Sequence, residues 1–173
     1  MIQQFSLLIS RGCLAILIAV PVATLYLLIN IELFSSMAQK HINLPIQWQT
    51  VSNLQWYGLW LLTILYLSTG LAGLYFLRRA FIHFAKGDLF NRRNSDDLRM
   101  FSIFLFVQAI AKPVHFSLSS ILLSINHPAG QKMLSISFGS DEIKMIALAI
   151  ILWVISDLLV SASALKDENE QFI

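Results

Sequence analysis

Four stretches of about twenty residues, nearly free of ionisable side chains, constrain this chain more than any other feature of its sequence. An α-helix rises about 1.5 Å per residue, so about twenty apolar residues cross the roughly 30 Å hydrocarbon core of a bilayer. We therefore predict an all-α integral membrane protein, with a single membrane domain over residues 1–173 in which four transmembrane helices form a bundle. The predicted helices cover residues 12–31, 54–77, 100–125 and 143–165.

The composition excludes a water-soluble fold, because 57% of the residues are apolar and only 13% are charged. An ordinary soluble domain has roughly a quarter of its residues charged. The apolar run after Arg11 is longer than the roughly 7–15 residues of a signal-peptide core, so we expect the first span to be retained. Cys13 is the only cysteine, which excludes an internal disulfide and a thiolate zinc cluster within the chain.

The positive charges predict the orientation of the spans. The loop 78–99 contains six cations, whereas the loop 32–53 contains only Lys40 and the loop 126–142 only Lys132. Cytoplasmic loops collect lysine and arginine, so loop 78–99 and both termini are predicted to be cytoplasmic, and the other two loops extracytoplasmic.

The same cations also predict a surface for binding. The simplest interpretation is that they fix the topology and anchor the helix ends to headgroups. A sharper one is contact with anionic lipid headgroups or with a protein partner. Nucleic acid is not expected, because aromatic platforms and a recognition fold are both missing from the sequence. The candidate contact residues are Arg78, Arg79, Lys86, Arg92 and Arg93.

The cytoplasmic loop has the signals of a turn between two helices. Gly87 predicts the end of the second helix, since glycine takes a left-handed backbone without steric strain. Asn94 or Ser95 is predicted to cap the third helix, with Asp96 and Asp97 in its first turn near the positive end of the helix dipole.

This loop also carries a resemblance to a known family. A cationic helix end followed by "KGDLF" and "NRRNSDDLRMF", together with the C-terminal "LKDENEQFI", resembles the small bacterial membrane proteins grouped as domain of unknown function 2975. The resemblance implies a four-helix integral fold in the bacterial cytoplasmic (inner) membrane. It carries over no catalytic residues. Some members are encoded beside small helix-turn-helix repressors, which hints at regulation.

The extracytoplasmic loops contain two short alternating segments, residues 42–51 and 133–138. A period of two indicates strands, so we expect a small two-stranded antiparallel β ribbon above the bundle. The alternative is that Ile46, Trp48 and Phe138 lie in the membrane interface. His41 and His127 share this side, but two histidines without a third ligand make a weak metal site. We therefore expect no metal and no cofactor.

The third span contains a polar stripe. Gln108, Lys112, His115 and Ser119 are spaced by four, three and four residues, so they share one helix face, which is expected to avoid lipid. A lone charge at mid-membrane costs at least about 2.5 kcal/mol and usually has a partner. Asp157 is the only acid within the predicted spans, at a depth within about 5 Å of Lys112. We therefore predict that these two residues form an ion pair.

Proline and small residues indicate how the helices bend and approach one another. Pro21 and Pro113 are predicted to bend the first and third helices. Small side chains allow close helix contacts in a membrane. They lie at Thr69 and Gly73 in the second span, and on one face of the first span at Gly12, Ala15, Ala19 and Ala23.

Two functions fit these features. The first is a non-enzymatic component that binds a partner or regulates one, with the Lys112–Asp157 pair as an internal clasp and a homo-oligomer as one form of partner. The alternative is a small ion- or proton-linked transport component that uses Lys112 and Asp157. An enzyme is not expected, because the sequence shows neither a nucleophile with an ordered histidine and acid nor a phosphate-binding glycine loop.

Overall fold

A computed structural model describes residues 2–42, 44–87 and 92–170. Within these residues it contains five α-helices, which are α1 (Ile2–Ile29), α2 (Ile31–His41), α3 (Asn53–Ala85), α4 (Arg92–Ser124) and α5 (Ser140–Glu170), and one 3-10 turn at Trp48–Thr50. Four of them, α1, α3, α4 and α5, are long and apolar enough to cross a membrane. The prediction of four apolar spans is therefore confirmed.

The two central helices extend well beyond the predicted spans. Both α3 and α4 have 33 residues, or about 50 Å of helix. The end of α3 is as predicted, because Gly87 has a φ of 88° just after the helix stops. The predicted cap of α4 is wrong, because the helix already includes Arg92 and the side chains of Asn94 and Ser95 are buried within its packing.

The membrane helices pack in the order α1, α3, α4, α5, and each contacts mainly its neighbours in that order. On α3, Leu71 faces Pro21 of α1, whereas Gly73 faces Phe104 of α4. Two residues correspond to about 200° around a helix, so α1 and α4 lie on nearly opposite sides of α3. The four helices of the predicted bundle thus form an open row, with α1 and α5 as its two edges.

The edge helix α1 contacts α3 through a different face from the predicted one. Ser6, Ser10 and Cys13 are its buried side chains, and their small size permits close approach to α3. The stripe that the sequence analysis singled out is exposed, because an edge helix packs on one side only. That exposed stripe consists of Gly12, Ala15, Ala19 and Ala23.

The contact between α4 and α5 is a seam of small side chains at intervals of seven residues. A seven-residue interval keeps side chains on the line where two helices meet at a shallow angle, and small side chains bring the backbones close. The seam residues are buried on both helices and consist of Ser95, Ser102 and Ala109 on α4 and Ala149, Ser156 and Ser163 on α5.

The extracytoplasmic end, as assigned from the charges, has an apolar core. Ser52 and Gln55 form a capping box that starts α3 and provides partners for two backbone N–H groups at this helix end. Trp56, Leu59 and Leu123 then form a buried cluster with Ile46 from the loop before α3. Phe34 on α2 packs against Trp56 and Trp60, which holds α2 against the row.

The predicted β ribbon is wrong, since the described residues contain no strand. The segment 133–138 instead runs along α4, where the backbone N–H groups of Met133 and Ser135 donate to the hydroxyls of Ser124 and Ser120 at 2.9 Å each. Two extended residues span about 6.6 Å and four helical residues about 6 Å, so the two spacings match. Serine hydroxyls thus replace a partner strand.

The other predicted strand is folded into turns. The N–H groups of Leu44 and Ile46 bond to carbonyls two residues earlier, as in γ-turns. Of the residues that the alternative interpretation places in the membrane interface, Ile46 is buried and Trp48 stacks on Trp56. Phe138 is exposed.

We expect the substitution Ala149→Leu to destabilise the protein, because a larger side chain in the small-residue seam forces α4 and α5 apart at a cost of about 1–3 kcal/mol. Thermal unfolding in mild detergent, followed by tryptophan fluorescence, measures the effect. The matched control is Leu148→Ala at the adjacent exposed position, where little change is expected. An equal loss of stability in the two variants would contradict the seam.

Candidate functional site

Lys112 in the middle of the row forms an ion pair with Glu142 on α5. The lysine side chain is 43% exposed and the glutamate side chain 3% exposed. Glu142 also accepts a hydrogen bond of 2.6 Å from the N–H of Gly139, just before α5 begins. A glutamate at the third helical position that reaches back to the preceding N–H is one half of a capping box. Glu142 therefore both caps the start of α5 and neutralises Lys112.

The predicted pairing of Lys112 with Asp157 is wrong. Asp157 is exposed, and within the described residues its carboxylate has no ion pair. It lies fifteen residues after Glu142 on the same helix, or about 22 Å away along the axis. The prediction counted depths from the inner ends of the third and fourth spans, near residues 100 and 166, and took those two ends as level. Instead the chain runs back along α4 first, so α5 begins beside Lys112.

Gln108 and His115 of the polar stripe belong to the contact between α4 and α3. The Thr69 hydroxyl is hydrogen-bonded to the side-chain amide of Gln108, and Gly70 leaves the room that this amide fills. The Thr63 hydroxyl donates to the Leu59 carbonyl at 2.8 Å, and its oxygen lies 3.3 Å from Nε2 of His115, within hydrogen-bond distance.

Around His115 and Ser119, the polar stripe of α4 has open space and an unused hydroxyl group. The His115 ring stacks on Tyr66 with centroids 5.1 Å apart, and both rings line a cavity of about 250 Å³ between α3 and α4. Ser119 is buried, and its hydroxyl has no hydrogen-bond partner among the described residues. The stripe thus divides between two interfaces, with Gln108 and His115 facing α3 and Lys112 facing α5.

His41 and His127 were considered as a weak metal site, and the structure describes the side chain of His127. His127 is buried, its Nε2 accepts from the N–H of Gln47 at 3.1 Å, and its Nδ1 bonds the Gln131 carbonyl at 3.2 Å. Nε2 therefore joins the two loops at this end of the helices, and Nδ1 holds a turn within the second loop. The side chain of His41 lies outside the described residues. In the described part of the chain, no three potential metal ligands of the His, Cys, Asp or Glu type form a group.

A second ion pair joins the end of α3 to the start of α4. Arg79 contacts the buried carboxylate of Asp97 at 3.3 Å and lies over the rings of Tyr75 and Phe76. Arg99 lies over Trp153, 4.9 Å from its ring centroid, and so links α4 to α5. Neither Asp97 nor Glu142 was predicted as an ion-pair partner from the sequence. The Gly139-to-Glu142 interval, the spacing of a capping box, was the available signal for the second.

The predicted headgroup contacts separate into two groups. Arg79 is paired with the buried carboxylate of Asp97, and Nε of Arg78 is buried. By contrast, Lys86 and Arg92 are exposed. Arg93 is exposed as well, although it makes an interaction within the chain.

The four apolar helices form an open row, in which polar contacts join α3, α4 and α5. They define a multi-pass α-helical membrane protein. Residues 41–173 match the family described as "Protein of unknown function (DUF2975)". The chain belongs to that family, which confirms the resemblance seen in the loop 78–99 and at the C-terminus. No curated protein matches the chain, and neither does any solved structure.

Removing Lys112 is expected to destabilise the protein more than neutralising its partner, because Lys112→Met leaves a carboxylate that is 3% exposed without a counter-charge. We expect the unfolding midpoint in detergent to fall by about 5 °C in Lys112→Met, and by less than half of that in Glu142→Gln, where the half-exposed lysine can reach water.

The double variant Lys112→Met with Glu142→Gln completes the cycle. It should recover most of the stability lost in Lys112→Met, because the glutamine keeps an oxygen for the Gly139 N–H. Additive losses would contradict a direct pair, and Asp157→Asn is the control that should change little.

Proposed function

We propose that this protein is a non-enzymatic, multi-pass component of the bacterial cytoplasmic membrane that binds or regulates a partner. The observation that carries the proposal is the ion pair between Lys112 and Glu142. The one cation deep in α4 is neutralised inside the chain, and polar contacts of this kind commonly serve as glue between membrane helices.

The way in which other titratable groups are used supports a non-enzymatic role. The carboxylate of Asp97 is bound by Arg79, and that of Glu142 caps α5. The His127 ring joins two loops. A catalytic acid or base must be free to exchange a proton with a substrate, whereas each of these groups already holds part of the fold.

The orientation that fits these contacts has both termini in the cytoplasm. The start of α1, the end of α3, the start of α4 and the end of α5 lie at one end of the antiparallel row, and that end holds most of the arginines. Exposed Lys86 and Arg92 are suited there to anionic lipid headgroups or an acidic partner surface.

Cysteine labelling checks this orientation. In a Cys13→Ser background, a membrane-impermeant maleimide should label Gln49→Cys in intact cells and should label Asp96→Cys only after the membrane is opened. Both positions are exposed, so a difference in labelling reports the side of the membrane. Labelling of residue 96 in intact cells would overturn the orientation.

Transport is the second candidate function, and one observation favours it. The Lys112 side chain is 43% exposed, and His115 lines a cavity close to Pro113. Ionisable groups beside a proline in a membrane helix are common in ion pathways. Such a pathway would use Lys112, Glu142 and His115, because Asp157 is too distant to take part.

Photo-crosslinking in cells tests partner binding. A photoreactive residue at exposed Lys86 should give an adduct with another protein, whereas one at buried Ala80, near the same end of α3, should give none. Mass spectrometry identifies the adduct. Adducts with lipid alone at position 86 would argue against a protein partner at this end.

Flux measurements separate the two functions. Proteoliposomes under an imposed pH gradient or potential should leak no faster than empty liposomes if Lys112 and Glu142 form a clasp. Flux that requires both charges and disappears in the Lys112→Met, Glu142→Gln variant would establish transport instead.

A further inference from the structure

The open row leaves opposite charges on its two edges. Arg11 is exposed on α1 and Asp157 is exposed on α5. Within the described residues, neither side chain has an ion pair or a side-chain hydrogen bond. α1 and α5 are separated by α3 and α4, so these two residues cannot neutralise each other within one chain.

The two charges lie at nearly the same depth. Gln3 on α1 lies close to Gly87 at the end of α3, so Arg11, eight residues after Gln3, is level with Arg79, eight residues before Gly87. Arg79 contacts Asp97 on α4. Arg99 lies over Trp153 on α5, so Asp97 is level with residue 155, two residues from Asp157. The depths therefore agree to within about 3 Å.

We propose that copies of this protein assemble head to tail, with α1 of one copy packed against α5 of the next and Arg11 paired with Asp157 across the contact. A contact between two different surfaces of identical chains closes into a ring when the rotation between copies allows it. The contact continues the alternation of the row, because α5 and the neighbouring α1 run in opposite directions like every adjacent pair within the chain. This inference is independent of the proposed function.

The surfaces on either side of the charges suit this contact. Ala15, Ala19 and Ala23 follow Arg11 at steps of four residues, so they lie along the same exposed side of α1. Small side chains allow a neighbouring helix to approach closely in a membrane. On α5, exposed Val154 lies close to Asp157, in the direction away from the arginine-rich end. An antiparallel contact centred on Arg11 and Asp157 therefore brings Ala15 near Val154.

Charge excludes the symmetric alternatives. A two-fold axis along the membrane normal would place α1 against α1 with both Arg11 side chains at one depth, or α5 against α5 with both Asp157 side chains at one depth. Like charges that face each other repel. The contact between α1 and α5 brings opposite charges together instead.

Disulfide crosslinking in native membranes tests the proposal. In a Cys13→Ser background, the full-length variant with Ala15→Cys and Val154→Cys is oxidised with copper phenanthroline. Because each copy offers one cysteine at each edge, we expect a ladder of dimers, trimers and larger species on a non-reducing gel. The matched control pairs Ala15→Cys with Leu148→Cys, an equally exposed site on the opposite side of α5 from Asp157, and should give no ladder.

Charge exchange provides a second measurement. Arg11→Asp or Asp157→Arg alone should lower the crosslinked fraction roughly tenfold, which corresponds to about 1.4 kcal/mol. The variant with both exchanges should restore it. A dimer from Ala15→Cys alone would show that α1 meets α1, and the lack of a ladder in unexchanged protein would show that these edges do not meet. Either result overturns the proposal.

Discussion

A charge that enters a membrane needs a counter-charge within reach, and the partner of Lys112 determines how the second half of this protein folds. Glu142 meets Lys112 near the middle of the row, so α5 must begin beside that lysine rather than level with the end of α4. The chain between the helices therefore runs back along α4. Its backbone needs hydrogen-bond partners on the way, and Ser120 and Ser124 supply two of them. Three features therefore depend on one another: the ion pair, the start of α5 beside Lys112, and the segment bound by the serines.

The row is held together by different means at each interface. Thr69 and Gln108 join α3 to α4 near the centre, and Arg79 and Asp97 join them again near the arginine-rich end. The α1–α3 contact has buried Ser6, Ser10 and Cys13, whose size allows close packing where the apolar lipid gives no hydrophobic advantage to helix association. Because most polar side chains of the spans are used between neighbours, the two faces of the row remain largely apolar and exposed to lipid.

Properties that depend on local composition could be predicted from the sequence. Properties that depend on how segments align with one another, such as the relative depth of two helices, could not. Apolar windows locate the four spans, and Gly87 ends α3 as its backbone preference indicates. The partner of Lys112 could not be found by counting residues from assumed helix ends, because α4 starts earlier and α5 starts deeper than hydropathy suggests. The β ribbon failed for a related reason. Alternation shows that residues 133–138 are extended, but not whether another strand or a row of serine hydroxyls binds their N–H groups.

The interval between Arg99 and Lys112 has a consequence for the surrounding lipid. Lys112 lies only thirteen residues after Arg99 on α4, about 20 Å of helix against the roughly 30 Å core of a typical bilayer. Both side chains are tethered, Arg99 to Trp153 and Lys112 to Glu142, which limits how far either can stretch toward water. The acyl chains next to α4 must therefore compress or tilt to match the protein. Such hydrophobic mismatch would draw the protein toward thinner regions of the membrane.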